Sequence, residues 1–248
     1  GFARESMMSG KILIFGANGG IGSATARLLA ERGHALHLAG RNHTAVQALA
    51  EELDASYSIG NVLEDGFLAQ AVQEAGDTLD GLVYAVGSIT LKALPRLTRA
   101  DFVRDYELNA LSAALAVQAA LPALKQSGRG SVVLFSSIAA QQGFGMHASV
   151  GMAKAAVSGL TLSLAAELAP LVRVNAIAPS LTQTPLSKNL WQNAALAQSI
   201  AGLHPIPRLG LPEDMATLAA FLLSDQSSWM TGQILGVDGG RSTLRVKG

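Results

Sequence analysis

Short runs of apolar residues alternate along the chain with stretches of helical periodicity. Runs at 12–15, 35–39, 56–59, 81–86, 131–135, 172–177 and 233–236 predict strands. Stretches at 20–32, 43–53, 64–76, 99–125, 148–169, 189–201 and 212–224 predict helices. Strict alternation of the two predicts an α/β fold with a doubly wound parallel sheet of about seven strands and helices on both faces. No linker, repeat or low-complexity segment divides 8–248, which reads as one domain. Residues 1–7, GFARESM, lack a secretory pattern and read as an artificial leader.

The segment from Lys11 to Asn42 organises the rest. Ile12–Phe15 is a buried-strand run, and it stops at Gly16-Ala17-Asn18-Gly19-Gly20-Ile21-Gly22. Ala24, Leu28 and Leu29 then give a helical stripe, and a second apolar run follows at 35–39. Strand, glycine turn, helix and strand make the βαβ unit of a Rossmann-like, dinucleotide-binding domain. Glycines let the backbone approach a pyrophosphate, which sits on the free N–H groups and positive end of the helix. The spacing is Gly-x-x-x-Gly-x-Gly rather than Gly-x-Gly-x-x-Gly.

Arg41 follows the second strand, where such folds meet the adenosine ribose. Gly40-Arg41-Asn42 contains no acid to accept from a 2′-hydroxyl, and a guanidinium suits a phosphate. NADP(H) is therefore expected in preference to NAD(H). The segment 178–211 holds four of the eight prolines and follows the sixth strand, so it reads as a cover over a ligand. Its Leu181, Leu186, Leu190 and Trp191 imply a small-molecule substrate with apolar bulk.

Composition removes several classes. Lys+Arg and Asp+Glu are 18 each, so nothing favours nucleic acid or an anionic membrane as partner. The absence of cysteine excludes thiolate chemistry and is compatible with a cytoplasmic protein. No run of 18 apolar residues exists; the richest stretch, Ala110–Leu124, is broken by Ser112, Gln118 and Pro122, and no membrane span is expected. The five histidines are scattered without a carboxylate cluster, so no metal site is expected.

With these landmarks the chain resembles the short-chain dehydrogenase/reductases over about 8–240. Gly16, Gly20 and Gly22 match their phosphate loop, with Asn18, Gly19 and Ile21 inside it. Ala85-Val86-Gly87 stands where the family has Asn-Ala-Gly, and Asn61-Val62 where it has Asp-Val near adenine. The resemblance implies that Asn109 positions the active-site lysine through water, that Ser137 is the catalytic serine and that Lys154 is the lysine itself. It also implies cofactor contacts from Pro179, Leu181 and Thr184, and a homotetramer or homodimer through the long helices 99–125 and 148–169. Asp238 reads as support for the last strand's end or for an oligomer contact.

One departure is large. The family's proton donor is a tyrosine four residues before the lysine, and that position is Val150. His147, seven residues before Lys154, is the expected substitute, with bound water as the alternative. In a helix extended back to 147, residues 147, 150 and 154 share one face within about 60°. The enoyl-acyl-carrier-protein reductases, a divergent branch, keep their tyrosine at this spacing. Tyr84 and Tyr106 stay open as stand-ins; His34, His37, His43 and His204 read as structural. Three functions follow. The first is an NADP(H)-dependent oxidoreductase on a carbonyl or alcohol with an atypical acid. The others are an NADP(H)-binding protein with little catalysis, and an enoyl-type double-bond reductase.

Overall fold

Every residue of β1 (Lys11–Phe15) beyond the first is fully buried, because the strand lies at the centre of a seven-stranded parallel sheet. The computed structural model describes residues 10–246; the expected leader, 1–7, lies outside the described residues. The other strands are β2 (Leu36–Gly40), β3 (Ser56–Ile59), β4 (Leu79–Tyr84), β5 (Gly130–Phe135), β6 (Val172–Pro179) and β7 (Ile234–Val237). Their order is β3-β2-β1-β4-β5-β6-β7, with parallel pairing throughout.

The period of two in β1 divides the core into two layers. Ile12 and Ile14 pack with α1 (Gly20–Glu31), α2 (His43–Leu53) and α9 (Pro212–Leu223). Leu13 and Phe15 pack with α3 (Phe67–Ala75), α5 (Ser112–Ser127) and α6 (Ala148–Leu168) on the other face. β5 alternates likewise: Val132 and Leu134 face the second layer, Val133 and Phe135 the first. This is the expected doubly wound fold. The order reverses direction between β1 and β4, and a crevice opens at such a switch point beyond the C-terminal strand ends.

Most ends shift by a residue or two, and four differences have a physical cause. The helix expected over 64–76 starts at Phe67, because Gly66 adopts φ +84° and ends the preceding turn. The helix expected over 99–125 is α4 (Arg99–Tyr106), a π-turn (Glu107–Leu111) and α5, so an extra residue is inserted at Asn109. The helix expected over 189–201 is two pieces, α7 (Lys188–Trp191) and α8 (Ala194–Ala201), separated where Asn193 caps α8 by accepting from Leu196 N. The strand expected over 81–86 ends at Tyr84, which frees Ala85–Gly87 to line the crevice.

By length and composition Arg99–Ser127 and Ala148–Leu168 are apolar enough to cross a membrane. Here both lie on the sheet, with Ala113, Ala116, Ala120 and Val157 in the core. Tyr106, Leu111, Leu115, Met152 and Leu162 remain exposed on their outer sides.

Candidate active site

The first loop is built for close approach by a ligand. Gly16 has φ +77°, and a Cβ there would stand 2.5 Å from the Ala85 carbonyl oxygen. A Cβ on Gly22 would overlap the Gly16 carbonyl oxygen. α1 starts after Gly19 with no side chain capping its first N–H groups and no acid in its first turn. These donors and the helix dipole suit a pyrophosphate. Gly20 faces Thr184, whose methyl carbon would lie 2.8 Å from a Cβ at 20. The cover segment thus closes onto the phosphate loop.

Asn18 lies against Gly40, beside Arg41 at the end of β2. Arg41 is exposed, and no carboxylate among the described residues pairs with it. Asn61 turns its side chain inward, accepting from Leu63 N at 3.0 Å, and Val62 is buried in the core.

A cavity of about 350 Å³ lies beyond the strand ends. It brings together Ile21, Ala85, Val86, Gly87, Ser137, His147, Val150, Lys154, Pro179, Leu181 and Thr184 from the sequence reading. Gly16, Asn18, Gly19, Gly20, Gly22, Arg41, Asn61, Val62 and Asn109 are not on its wall. Asn109 stands directly behind Gly87, where a Cβ would lie 2.8 Å from its Oδ1 and 3.5 Å from Lys154 Nζ.

Lys154 Nζ donates to the Phe135 carbonyl oxygen at 3.0 Å. Burial lowers its pKa to about 8, partly opposed by the charge of Asp105. Ser137 begins a short 3₁₀ turn, and its Oγ accepts from Ala139 N at 3.0 Å, which leaves its own proton to give. Ser136 points the other way, donating to the Lys154 carbonyl oxygen at 3.0 Å.

Asn109 is 2% exposed, and its Nδ2 donates to Ser88 Oγ at 3.0 Å and to the Asp105 carbonyl oxygen at 2.7 Å. Its Oδ1 has no protein partner. The buried Asp105 carboxylate accepts from Ser88 and Thr90 at 2.6 and 2.8 Å on one oxygen, and from Ser149 at 2.6 Å on the other. It ties the loop after β4 to the start of α6 and fixes which end of Asn109 is free.

His147 does not lie in the helix, as its expected placement required. It is the residue before α6, with φ −108° and ψ 14°, after Met146 at φ +65°. Its carbonyl oxygen still accepts the first helical bond, from Gly151 N at 2.7 Å. Its ring remains on the cavity wall. Nδ1 lies 2.7 Å from the Gly145 carbonyl oxygen, which only accepts, so Nδ1 carries the proton. Neutral His147 therefore offers a lone pair at Nε2, not the N–H that its sequence reading assumed.

Val150 lies one turn before Lys154 and is buried on the wall. Neither tyrosine left open as a stand-in reaches the cavity. Tyr84 is buried in the core, donates to the Leu108 carbonyl oxygen at 2.6 Å, and burial raises its pKa. Tyr106 is exposed on α4. His37 is held between Ser56 and Ser58, and burial lowers its pKa to about 4. His204 bridges Ser180 and the Ile200 carbonyl oxygen. Leu181, Leu186 and Leu190 line the cavity, but Trp191 instead donates from Nε1 to the Thr184 carbonyl oxygen at 2.9 Å.

Asp105, Ser88, Thr90, Ser149, Phe144 and Arg241 were not singled out from the sequence. Asp105 lies among Arg99, Asp101, Arg104 and Glu107, so nothing in the sequence set it apart. Among the described residues no group of histidine and carboxylate side chains could hold a metal.

Known proteins resemble this chain over nearly its whole length. The profile of the family described as Enoyl-(Acyl carrier protein) reductase matches residues 16–242. The chain is 37% identical to cis-4-hydroxycyclohexanecarboxylate dehydrogenase of Sinomonas cyclohexanicum, covering 94% of this chain and 96% of that one. It is 33% identical to dehydrogenase/reductase SDR family member 4 of Bos taurus, covering 97% and 90%. A short-chain type dehydrogenase/reductase from Mycobacterium ulcerans superposes with TM-score 0.89 at 31% identity, covering 96% and 92%.

Proposed function

The chain belongs to the short-chain dehydrogenase/reductase family, and from that premise we propose an NADP(H)-dependent oxidoreductase that exchanges the substrate proton through His147. Its relatives are named dehydrogenases and reductases, so it is an oxidoreductase of alcohol or carbonyl groups with a nicotinamide cofactor. The observation that carries the proposal is the cavity wall itself. His147 stands there with Ser137 and Lys154, while the residue one turn before Lys154 is the apolar Val150.

The residues fit the cofactor. The uncapped start of α1, with Gly16–Gly22, would hold the pyrophosphate, and Arg41 the 2′-phosphate. Asn61 and Val62 would meet adenine, and Ala85–Gly87, Lys154, Pro179, Leu181 and Thr184 the nicotinamide riboside. The free Oδ1 of Asn109 beside Lys154 Nζ suits a water between them. When bound, the nicotinamide supplies or accepts hydride.

The protein's own groups handle the proton. Ser137 donates its hydroxyl proton in a hydrogen bond to the substrate oxygen. The Lys154 ammonium stabilises negative charge that develops there. In oxidation the neutral His147 Nε2 takes the alcohol proton; in reduction the imidazolium returns one to the alkoxide. Val150 keeps the wall between them apolar and dry.

The exposed apolar residues of α5 and α6 support assembly into a homotetramer or homodimer. The matching family's description and the seven-residue spacing from His147 to Lys154 favour a second reading, an enoyl-type double-bond reductase.

Titration of NADPH and NADH by fluorescence, followed by turnover on 4-oxocyclohexanecarboxylate, a quinone and an enoyl thioester, tests the proposal. Tighter NADPH binding with turnover on a ketone or quinone supports it. Turnover on the thioester alone selects the second reading. Binding without turnover on any of them identifies a cofactor-binding protein.

A further inference from the structure

Among the described residues the Arg241 side chain has no ion-pair partner. The residue follows β7 in a turn built by Asp238, whose carboxylate accepts from Gly240 N at 2.8 Å and from the Ser242 hydroxyl. Arg241 N itself donates to the Asp238 carbonyl oxygen at 3.1 Å. The carboxylate is thus spent on the turn, and the guanidinium is turned to the cavity wall. There its central carbon lies 4.9 Å from the centre of the Phe144 ring. Among the described residues its guanidinium makes no ion pair and packs instead over the aromatic ring. Arg173, the other half-buried arginine of note, donates instead to carbonyl oxygens of Leu222, Ser224, Ser227 and Met230. Burial lowers the pKa of Arg241.

The surroundings add direction. Among the described residues no aspartate or glutamate lines the cavity. Phe144, under the guanidinium, has its ring centre 5.3 Å from that of His147. The cation and the imidazole therefore both pack near one aromatic ring. Ile89, Leu91, Leu186 and Ile200 supply apolar wall around them.

We infer that Arg241 recognises an anionic oxygen group, a carboxylate foremost, placed across an apolar spacer from the substrate's reacting carbon. A planar fork binds a carboxylate through two parallel hydrogen bonds, and the aromatic face holds the fork in place. The substrate class is then a hydroxy or keto acid with a compact apolar body. This inference rests on the reading of the cavity as an alcohol or carbonyl site, but its test does not need turnover.

Binding of cyclohexanecarboxylate, hexanoate and benzoate to the NADP⁺-saturated protein is measured by calorimetry, with cyclohexylmethanol as the uncharged control. At least one carboxylate binds, and Arg241→Met weakens it by about tenfold to a hundredfold. Arg241→Lys recovers part of the loss, cyclohexylmethanol binds the wild type and Arg241→Met alike, and NADPH affinity stays within about twofold. Three results overturn the inference: no carboxylate binds the wild type, Arg241→Met binds them as well as the wild type, or NADPH affinity falls in parallel. The last would assign Arg241 to the cofactor. Carboxylate binding lost in Arg241→Met without turnover of any ketone would keep the inference and sink the catalytic reading.

Discussion

The Nδ1 of His147 donates to the carbonyl oxygen of Gly145 at 2.7 Å, and this bond decides what the imidazole can do. With Nδ1–H engaged, neutral His147 accepts at Nε2 and donates there only as imidazolium. In the proposed mechanism the same ring would take the alcohol proton in oxidation and return one in reduction. A phenol in the place of Val150 would work differently, through an O–H activated by the neighbouring ammonium.

Arg41 is exposed at the end of β2, so its replacement leaves the fold intact. Arg41→Ala weakens NADPH binding by about tenfold to a hundredfold and leaves NADH binding within about twofold. Fluorescence titration of the two cofactors reads the difference. Equal weakening of both would remove Arg41 from 2′-phosphate recognition.

Lys154 carries its charge below about pH 8 and loses it as pH rises through that value, because burial disfavours the ammonium. Cofactor affinity and turnover that depend on the charge hold below this pH and decline above it. Lys154→Met abolishes the alkaline limb in a pH series of NADPH titrations. A limb that persists in this variant belongs to another group.

Asp105 raises the pKa of Lys154 against the effect of burial. Asp105→Asn removes that attraction, so the alkaline limb moves to lower pH. It also weakens the bonds from Ser88, Thr90 and Ser149, at a cost of about 1–3 kcal/mol in urea unfolding. Loss of stability with an unmoved limb would confine Asp105 to holding α4 against α6.

The sheet was legible because buried parallel strands leave uninterrupted apolar runs, and β3 and α2 keep the bounds read from sequence. The glycine loop was legible because Gly16 and Gly22 have no room for a Cβ. The π-turn around Asn109 was not, since the run that follows it, Ala110–Val117, is apolar nearly all round and hides the change of phase. The start of α6 at Ala148 was legible, but the helix does not extend back to His147, and helical periodicity carries no mark of the left-handed Met146 just before it. Arg241 was invisible for a different reason. Its role depends on Phe144, nearly a hundred residues earlier, and only the fold brings the two together.

The measurement closest to the central claim compares turnover of the wild type and His147→Ala at fixed pH, with NADPH affinity measured alongside. His147 is at the cavity wall and outside the regular helix, so its removal spares the core. The account predicts a fall in kcat of about a hundredfold or more with NADPH affinity within about twofold of the wild type. Unchanged turnover would contradict it, and would require the substrate proton to travel by a route that does not include His147.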